Sequence, residues 1–141
     1  MEITRLRDTV TVVEPGSPTL IDTRPVRGTW VNYDEQSEGI TQVAVRGWDD
    51  TLLVRLASSG TTWPEVPAAA FGAGVDQHEA VGFAARYELD FATILIAAYL
   101  NKRLLVVDAY TAFTDASGRS DYFQRDHLYL PQPPVSSDVT I

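Results

Sequence analysis

The stretch at residues 103–130 is the feature that most constrains the fold. It contains two arms of about ten residues each, rich in β-branched and aromatic side chains, which flank Asp115-Ala116-Ser117-Gly118. Gly118 can adopt a positive φ without a Cβ clash, and the Asp115 side chain can bond to the backbone two residues further on, so this cluster predicts a turn. Arms of this length suit a small barrel. The stretch therefore predicts a long β-hairpin, although it identifies no activity.

The composition fits a single globular domain. The chain has 141 residues, 45% of them hydrophobic, and a formal net charge of −8. This charge argues against nucleic acid or an anionic membrane as a partner, because both attract basic surfaces. The absence of Cys excludes disulfides, thiolate metal sites and a Cys nucleophile. No apolar signal segment begins the chain and the longest apolar run has only a strand's length, so we expect a cytoplasmic protein.

Strand patterns recur before the hairpin, and most of them are joined by short connections. They lie at residues 9–13, 27–34, 40–48, 51–58, 80–89 and 91–100. This order predicts an all-β fold, an eight-stranded antiparallel up-and-down β-barrel, because closing such a meander removes both sheet edges. A β-sandwich is the alternative. The single domain spans residues 1–141, with an N-terminal arm and loop at 1–25, the barrel at 26–130 and an extended tail at 131–141.

One long segment, residues 59–79, lacks a clear strand pattern, although a short strand at 63–66 and a helical turn at 68–71 are candidates within it. Alternate connections of a meander lie at the same end, so this segment would share a rim with residues 34–39 and with Asn101-Lys102. A long connection inside a small domain is often functional. We therefore expect the mouth at this rim, and Asp49-Asp50, Asp90 and the Asp115–Gly118 turn at the opposite rim.

The motif Gly28-Thr29-Trp30, followed by Asn32 and Asp34, opens the first strand of this barrel. A Gly-x-Trp motif in that position resembles the calycins, the superfamily of lipocalins and avidins. The runs 28–45 and 113–122 also resemble small uncharacterised bacterial barrel proteins with a GTWxNxD opening. The calycin resemblance implies that Trp30 packs across the closed end of the barrel. It also places Asn32 where avidins contact their ligand, although the other avidin ligand residues are missing.

Few side chains are candidates for chemistry. His78 and His127 are the only histidines and lack the spacing of a metal pair, so we expect no metal and no cofactor. Glu65 lies in the long segment, where an apolar wall would raise the pKa of its carboxyl group. Glu65, Tyr110 and His127 are therefore the candidate catalytic residues, for proton transfer or carbonyl polarisation. The plain alternatives are a solvated glutamate and a histidine at the surface.

An eight-stranded barrel can hold one small ligand, and aromatic side chains would shape the cavity. The candidate ligand-binding residues are Trp30, Asn32, Trp63, Phe83, Tyr87 and Tyr99. We expect a largely apolar ligand, which either a cofactor-free cyclase or isomerase would convert or a non-catalytic carrier would hold. A packed interaction module is the third alternative. The strand from Phe91 to Leu100 is apolar on both faces, so a homodimer, the N-terminal arm or the C-terminal tail would cover its outer face.

Overall fold

The protein is an all-β barrel. A computed structural model describes residues 21–48 and 51–131, and within them the only helical element is a 3-10 turn at Arg24–Val26. The strands, in chain order, are β1 (Gly28–Asn32), β2 (Ile40–Trp48), β3 (Thr51–Ser58), β4 (Thr61–Thr62), β5 (Val66–Gly72), β6 (Ala80–Glu88), β7 (Ala92–Asn101), β8 (Leu104–Phe113) and β9 (Tyr122–Tyr129).

Eight of these strands form a closed antiparallel ring. Going around it, β1 pairs with β2, β2 with β3, β3 with β5, and each later strand with the next until β9 pairs with β1. The two-residue strand β4 pairs with β3 and lies outside the ring. The predicted fold class is therefore confirmed. The long hairpin is confirmed too, because β8 and β9 pair from Leu105↔Leu128 to Thr111↔Tyr122.

The alternation of side chains along each strand places one face in the core. On β7, Ala92, Ile94, Ile96 and Ala98 are buried, whereas Leu95 and Tyr99 are 46% and 40% exposed. On β8, the inward side chains include Leu105, Val107 and Ala109, and Tyr110 faces outward. These inward residues belong to one hydrophobic cluster that fills the barrel.

One end of the barrel is closed by the segment that precedes β1. Val26 is fully buried in the core, and its carbonyl oxygen accepts a hydrogen bond from Nε1 of Trp30 at 3.0 Å. Backbone bonds fasten the segment to the start of β6: the Asp22 N–H donates to His78 O at 2.7 Å, and the Ala80 N–H donates to Asp22 O at 2.9 Å. Trp30, 2% exposed, thus packs at the closed end.

The long segment at 59–79 was wrongly predicted to lack a strand of the barrel. It contains β5, which pairs with β3 through Leu52↔Ala68 and with β6 through Ala69↔Ala84. The candidate helical turn at 68–71 is therefore strand, and the candidate short strand at 63–66 is replaced by Val66–Gly72, which shares only Val66 with it. The three consecutive alanines of β5 hide the period of two, because inward and outward positions carry the same side chain.

This additional strand exchanges the ends expected for the connections that follow it, whereas residues 34–39 and the start of the long segment share a rim as predicted. The connections at 33–39, 59–65, 89–91 and 114–121 lie at one end, which we call the open end. The turns at 73–79 and at 102–103 lie at the closed end. The Asp115–Gly118 turn therefore shares a rim with Trp63, contrary to the prediction, and Asn101-Lys102 does not. The predicted strand at 9–13, the Asp49-Asp50 turn and most of the 131–141 tail lie outside the described residues.

Candidate functional site

A cavity of about 230 Å³ opens at the open end of the barrel. It lies between inward side chains of five strands, β2, β3, β7, β8 and β9, and the connections that meet there. Its apolar lining consists of Ile40, Trp63, Phe91, Ile94, Ala109 and Phe113. Its polar lining consists of Glu38, Ser58, Thr111, Arg119, Tyr122 and Gln124. The lining thus combines apolar and polar side chains in equal number, and it suits a small ligand that has both an apolar and a polar part.

Trp63 is held in place at the edge of this cavity. Its backbone N–H donates to Leu56 O at 2.8 Å, and its ring packs edge-on against Tyr87, with centroids 5.0 Å apart. The Tyr87 hydroxyl donates to Pro64 O at 2.8 Å, and burial raises the pKa of this phenol. Tyr87 therefore stays neutral and fixes the connection that carries Trp63.

Arg119 is held over the aromatic side of the rim. Its guanidinium carbon lies 4.2 Å from the centroid of the Phe113 ring and 5.7 Å from that of Phe91. Its Nε donates to Ser117 Oγ at 3.0 Å, and its Nη2 donates to Asp115 Oδ2 at 3.1 Å. Hydrogen bonding by Ser117, and then by Arg119, lowers the pKa of Asp115. The Asp115–Gly118 turn thus positions a cation at the mouth.

A second polar cluster lies beside the mouth cavity, which it meets at Gln124. The Asn32 amide donates to Ile40 O at 2.7 Å and to Asp126 Oδ1 at 3.1 Å, while its own oxygen accepts from the Asp34 N–H at 2.7 Å. Asp126 also accepts from Gln124 Nε2 at 2.9 Å. Asn32 is 5% exposed and uses both ends of its amide on the protein, so it fixes the connection between β1 and β2.

The three candidate catalytic residues are not brought together. Glu65 accepts two hydrogen bonds from Arg46, at 2.7 and 2.9 Å, and this pair lowers the pKa of the carboxyl group instead of raising it as expected. Tyr110 lies on the outer wall, 48% exposed, with its ring 5.0 Å from that of Phe123. His127 is also exposed on the outer face of β9. None of the three lines the mouth cavity.

The six candidate ligand-binding residues are spread over the barrel. Trp63 lines the mouth cavity. Four are buried, namely Trp30, Asn32, Phe83 and Tyr87. Tyr99 lies on the outer wall, 40% exposed. Among these, Trp63 is therefore the residue placed to meet a ligand in the mouth.

Sequence reasoning missed the polar half of the mouth, Arg119 above all. The signal was present, because Arg119 directly follows the recognised turn at Asp115–Gly118. The unrecognised strand β5 placed that turn at the wrong end. Asp126 was not recognised, although its neighbour His127 was considered. Its hydrogen bond with Asn32, 94 residues away, leaves no local pattern in the sequence.

A second depression, of about 470 Å³, lies at the closed end beside Trp30, Leu100 and Leu130. It is more open than the mouth cavity and its lining is mostly apolar, with Arg103 as its charged residue. The mouth cavity is therefore the better-formed candidate site.

Comparisons of the chain with family models, with curated proteins and with solved structures found no match. Among the residues that the structure describes, no helix is long and apolar enough to cross a membrane. Within the same residues, no group of three or more His, Asp or Glu side chains is arranged to hold a metal ion. The candidate function therefore rests on the geometry of the mouth.

Proposed function

We propose that the protein binds one small molecule in the mouth cavity. The observation that carries this proposal is the cavity itself, which combines apolar side chains with a cation held at its rim. Its volume, about 230 Å³, is below the roughly 300 Å³ at which drug-sized sites begin. The ligand is accordingly a small molecule, in keeping with the largely apolar ligand expected from the sequence.

The chemistry of the lining favours an apolar body that carries a carboxylate. Ile94, Ala109 and Trp63 offer apolar contact inside the cavity. Arg119 has five N–H donors, and its contacts with Ser117 and Asp115 use two of them. The free part of a planar guanidinium matches the two oxygens of a carboxylate.

We propose binding without turnover as the activity, that is, a carrier or sequestering protein. The alternative expected from the sequence, a cofactor-free cyclase or isomerase, stays a prediction. Its candidate catalytic residues Glu65, Tyr110 and His127 lie outside this cavity, and this placement favours the carrier. The relationship to calycins and the cytoplasmic location also stay predictions.

Binding can be tested with three probes of matched shape and different charge: phenylacetate, 2-phenylethanol and phenethylamine. Titrations followed by calorimetry or by NMR should give the tightest binding for phenylacetate, by about tenfold over the alcohol, the range of a charge-assisted hydrogen bond. In Arg119→Gln this preference should disappear while weak binding of the alcohol remains. A preference that survives in Arg119→Gln would show that Arg119 does not bind the carboxylate, and equal binding of the three probes by the parent would show that the ligand class is wrong.

The location can be tested by filling the cavity. Ala109→Leu adds atoms at an inward position that lines the mouth, and should weaken the binding of all three probes. The matched control is Ala44→Leu, the same change on β2 at a position whose neighbour Val43 is fully buried, so its side chain faces outward. If Ala109→Leu binds the probes as the parent does, or if the parent binds none of them at millimolar concentration, the proposal fails.

A further inference from the structure

The outer wall of the barrel has a region that lacks the polar character of a solvated surface. Across β5 to β9, outward side chains align in three parallel rows through the strand register. The middle row runs Ala69↔Ala84↔Ala97↔Asp108↔Arg125. Three of its five side chains are methyl groups, so another backbone can approach this part of the sheet closely. We call the three rows together the β5–β9 outer face.

The rows on either side supply large exposed apolar side chains. Leu95, Tyr110 and Phe123 are cross-strand partners in one row and are 46%, 48% and 48% exposed. In the other row, Phe71 and Tyr99 are 55% and 40% exposed. A monomer rarely leaves so many large apolar groups adjacent in one patch. Aromatic residues with arginine are the composition typical of interface centres.

The charges of this face are few and mutually compensated. Asp108 accepts two hydrogen bonds from Arg125, at 2.7 and 3.0 Å, and its side chain is 9% exposed although it points away from the core. The remaining charged residue of the three rows is Arg86, which pairs with Glu88 at the edge. The chain as a whole carries a net charge of −8. Two copies therefore meet less electrostatic repulsion at this face than an average surface of the chain would give.

We propose that two copies of this chain associate through the β5–β9 outer face. The usual strand spacing and rise give the three rows about 19 Å across the strands and about 14 Å along them. A border of about one strand spacing, or ~5 Å, on every side includes the neighbouring side chains and brings the patch to roughly 29 by 24 Å, or about 700 Å². Standard interfaces bury about 600 to 1,000 Å² per partner. The face is thus large enough for a specific dimer at the lower end of that range.

The oligomeric state tests the proposal directly. Sedimentation of the full chain between about 1 µM and 1 mM, the range of weak to moderate association, should show a monomer–dimer equilibrium. Leu95→Lys with Tyr110→Lys should weaken association by about tenfold or more, because both changes place a charge among desolvated side chains. Gln42→Lys, an exposed position on β2, is the matched control and should associate as the parent does. Far-UV circular dichroism and a melting curve check that each variant is folded.

A second experiment does not depend on disruptive substitutions. The chain has no Cys, so a disulfide between protein chains in a single-Cys variant must join the introduced residue of two copies. In a two-fold interface, a residue near the axis meets the same residue of the partner. At least one of Ala69→Cys, Ala84→Cys and Ala97→Cys should give a disulfide-linked dimer under mild oxidation, and Ala44→Cys should not.

Three results would overturn the proposal. A monomer at every concentration means that something other than a second copy covers the face. An undiminished dimer in the double lysine variant places the interface elsewhere, as does equal cross-linking of Ala44→Cys. The mouth lies at the end of the barrel and this face on its side, so failure here leaves the proposed ligand site untouched.

Discussion

The two ends of the barrel each carry a tryptophan, and the two are used differently. Trp30 at the closed end is 2% exposed and donates to a backbone carbonyl of the segment that covers it. Trp63 at the open end is partly exposed and borders a cavity of about 230 Å³. The first fills space within the core, and the second leaves space beside it.

The polar contacts differ in the same way. Backbone bonds between Asp22, His78 and Ala80 fasten the closed end, and such bonds place few demands on side chains. At the open end, backbone bonds such as that from Trp63 N–H to Leu56 O are also present, and side chains add to them through the Asn32–Asp126 cluster and through the contacts of Arg119. The closed end thus contributes mainly to stability, whereas the open end presents polar side chains that can contact a ligand.

The largest expected effect concerns the two tryptophans. Trp30→Ala should lower the free energy of unfolding by about 3–5 kcal/mol, the usual cost of removing a buried large aromatic side chain. Trp63→Ala should cost at most about half of that, because its ring is already partly in water. Urea unfolding followed by far-UV circular dichroism measures both variants. Equal losses of unfolding free energy in the two variants, or a larger loss in Trp63→Ala, would contradict the different roles of the two tryptophans.

A middle-sized effect is expected at Asn32. Asn32→Ala removes donors from Ile40 O and from Asp126, and should cost about 1–3 kcal/mol, because it leaves partly buried acceptors without partners. Urea unfolding provides the measurement, with Asn101→Ala, exposed at a turn of the closed end, as the control expected within about 0.5 kcal/mol. The binding of the probes should weaken only to the extent that the connection between β1 and β2 becomes less ordered. Loss of binding with full stability would instead support the ligand contact that the calycin resemblance implies.

The hairpin of β8 and β9 could be predicted from the sequence because it alternates cleanly and its turn residues have a local mechanism. The closed ring also follows from the order of strands. Trp30 lies at the closed end, as the calycin resemblance implied. Beside it, Gly28 has φ 134° and a Cβ there would meet the side chain of Leu130, a contact between distant segments that the sequence does not reveal.

The later connections that share the mouth with Trp63 could not be predicted, for one physical reason. Ala68, Ala69 and Ala70 give inward and outward positions the same side chain, so β5 left no periodic signal. One missing strand in a meander exchanges the ends of every later connection. Arg119 has mostly local contacts, but it reaches the mouth only because its turn lies at that end. The hydrogen bond between Asn32 and Asp126 joins segments 94 residues apart, and such a contact is visible only after the ring is closed.

The smallest expected effect concerns Asp22 at the closed end. Hydrogen bonds from the Arg24 side chain, at 2.6 to 3.1 Å, lower the pKa of the Asp22 carboxyl group from 3.8 to about 2. Because this pKa is lower in the folded state, the contribution of the pair to stability is present above pH 3.8 and is lost as the pH falls through about 2. An NMR titration of the side-chain carboxyl should show a midpoint near 2 in the parent and a higher one in Arg24→Gln.

The pair is exposed and is screened by solvent, so Arg24→Gln should leave the free energy of unfolding at neutral pH almost unchanged. That outcome would agree with a closed end held by backbone bonds and by Trp30. A loss as large as that of Asn32→Ala would mean that polar side chains hold both ends, and the distinction between them would reduce to the cavity alone. A parent midpoint near 3.8 would show that the Asp22–Arg24 pair does not persist in solution.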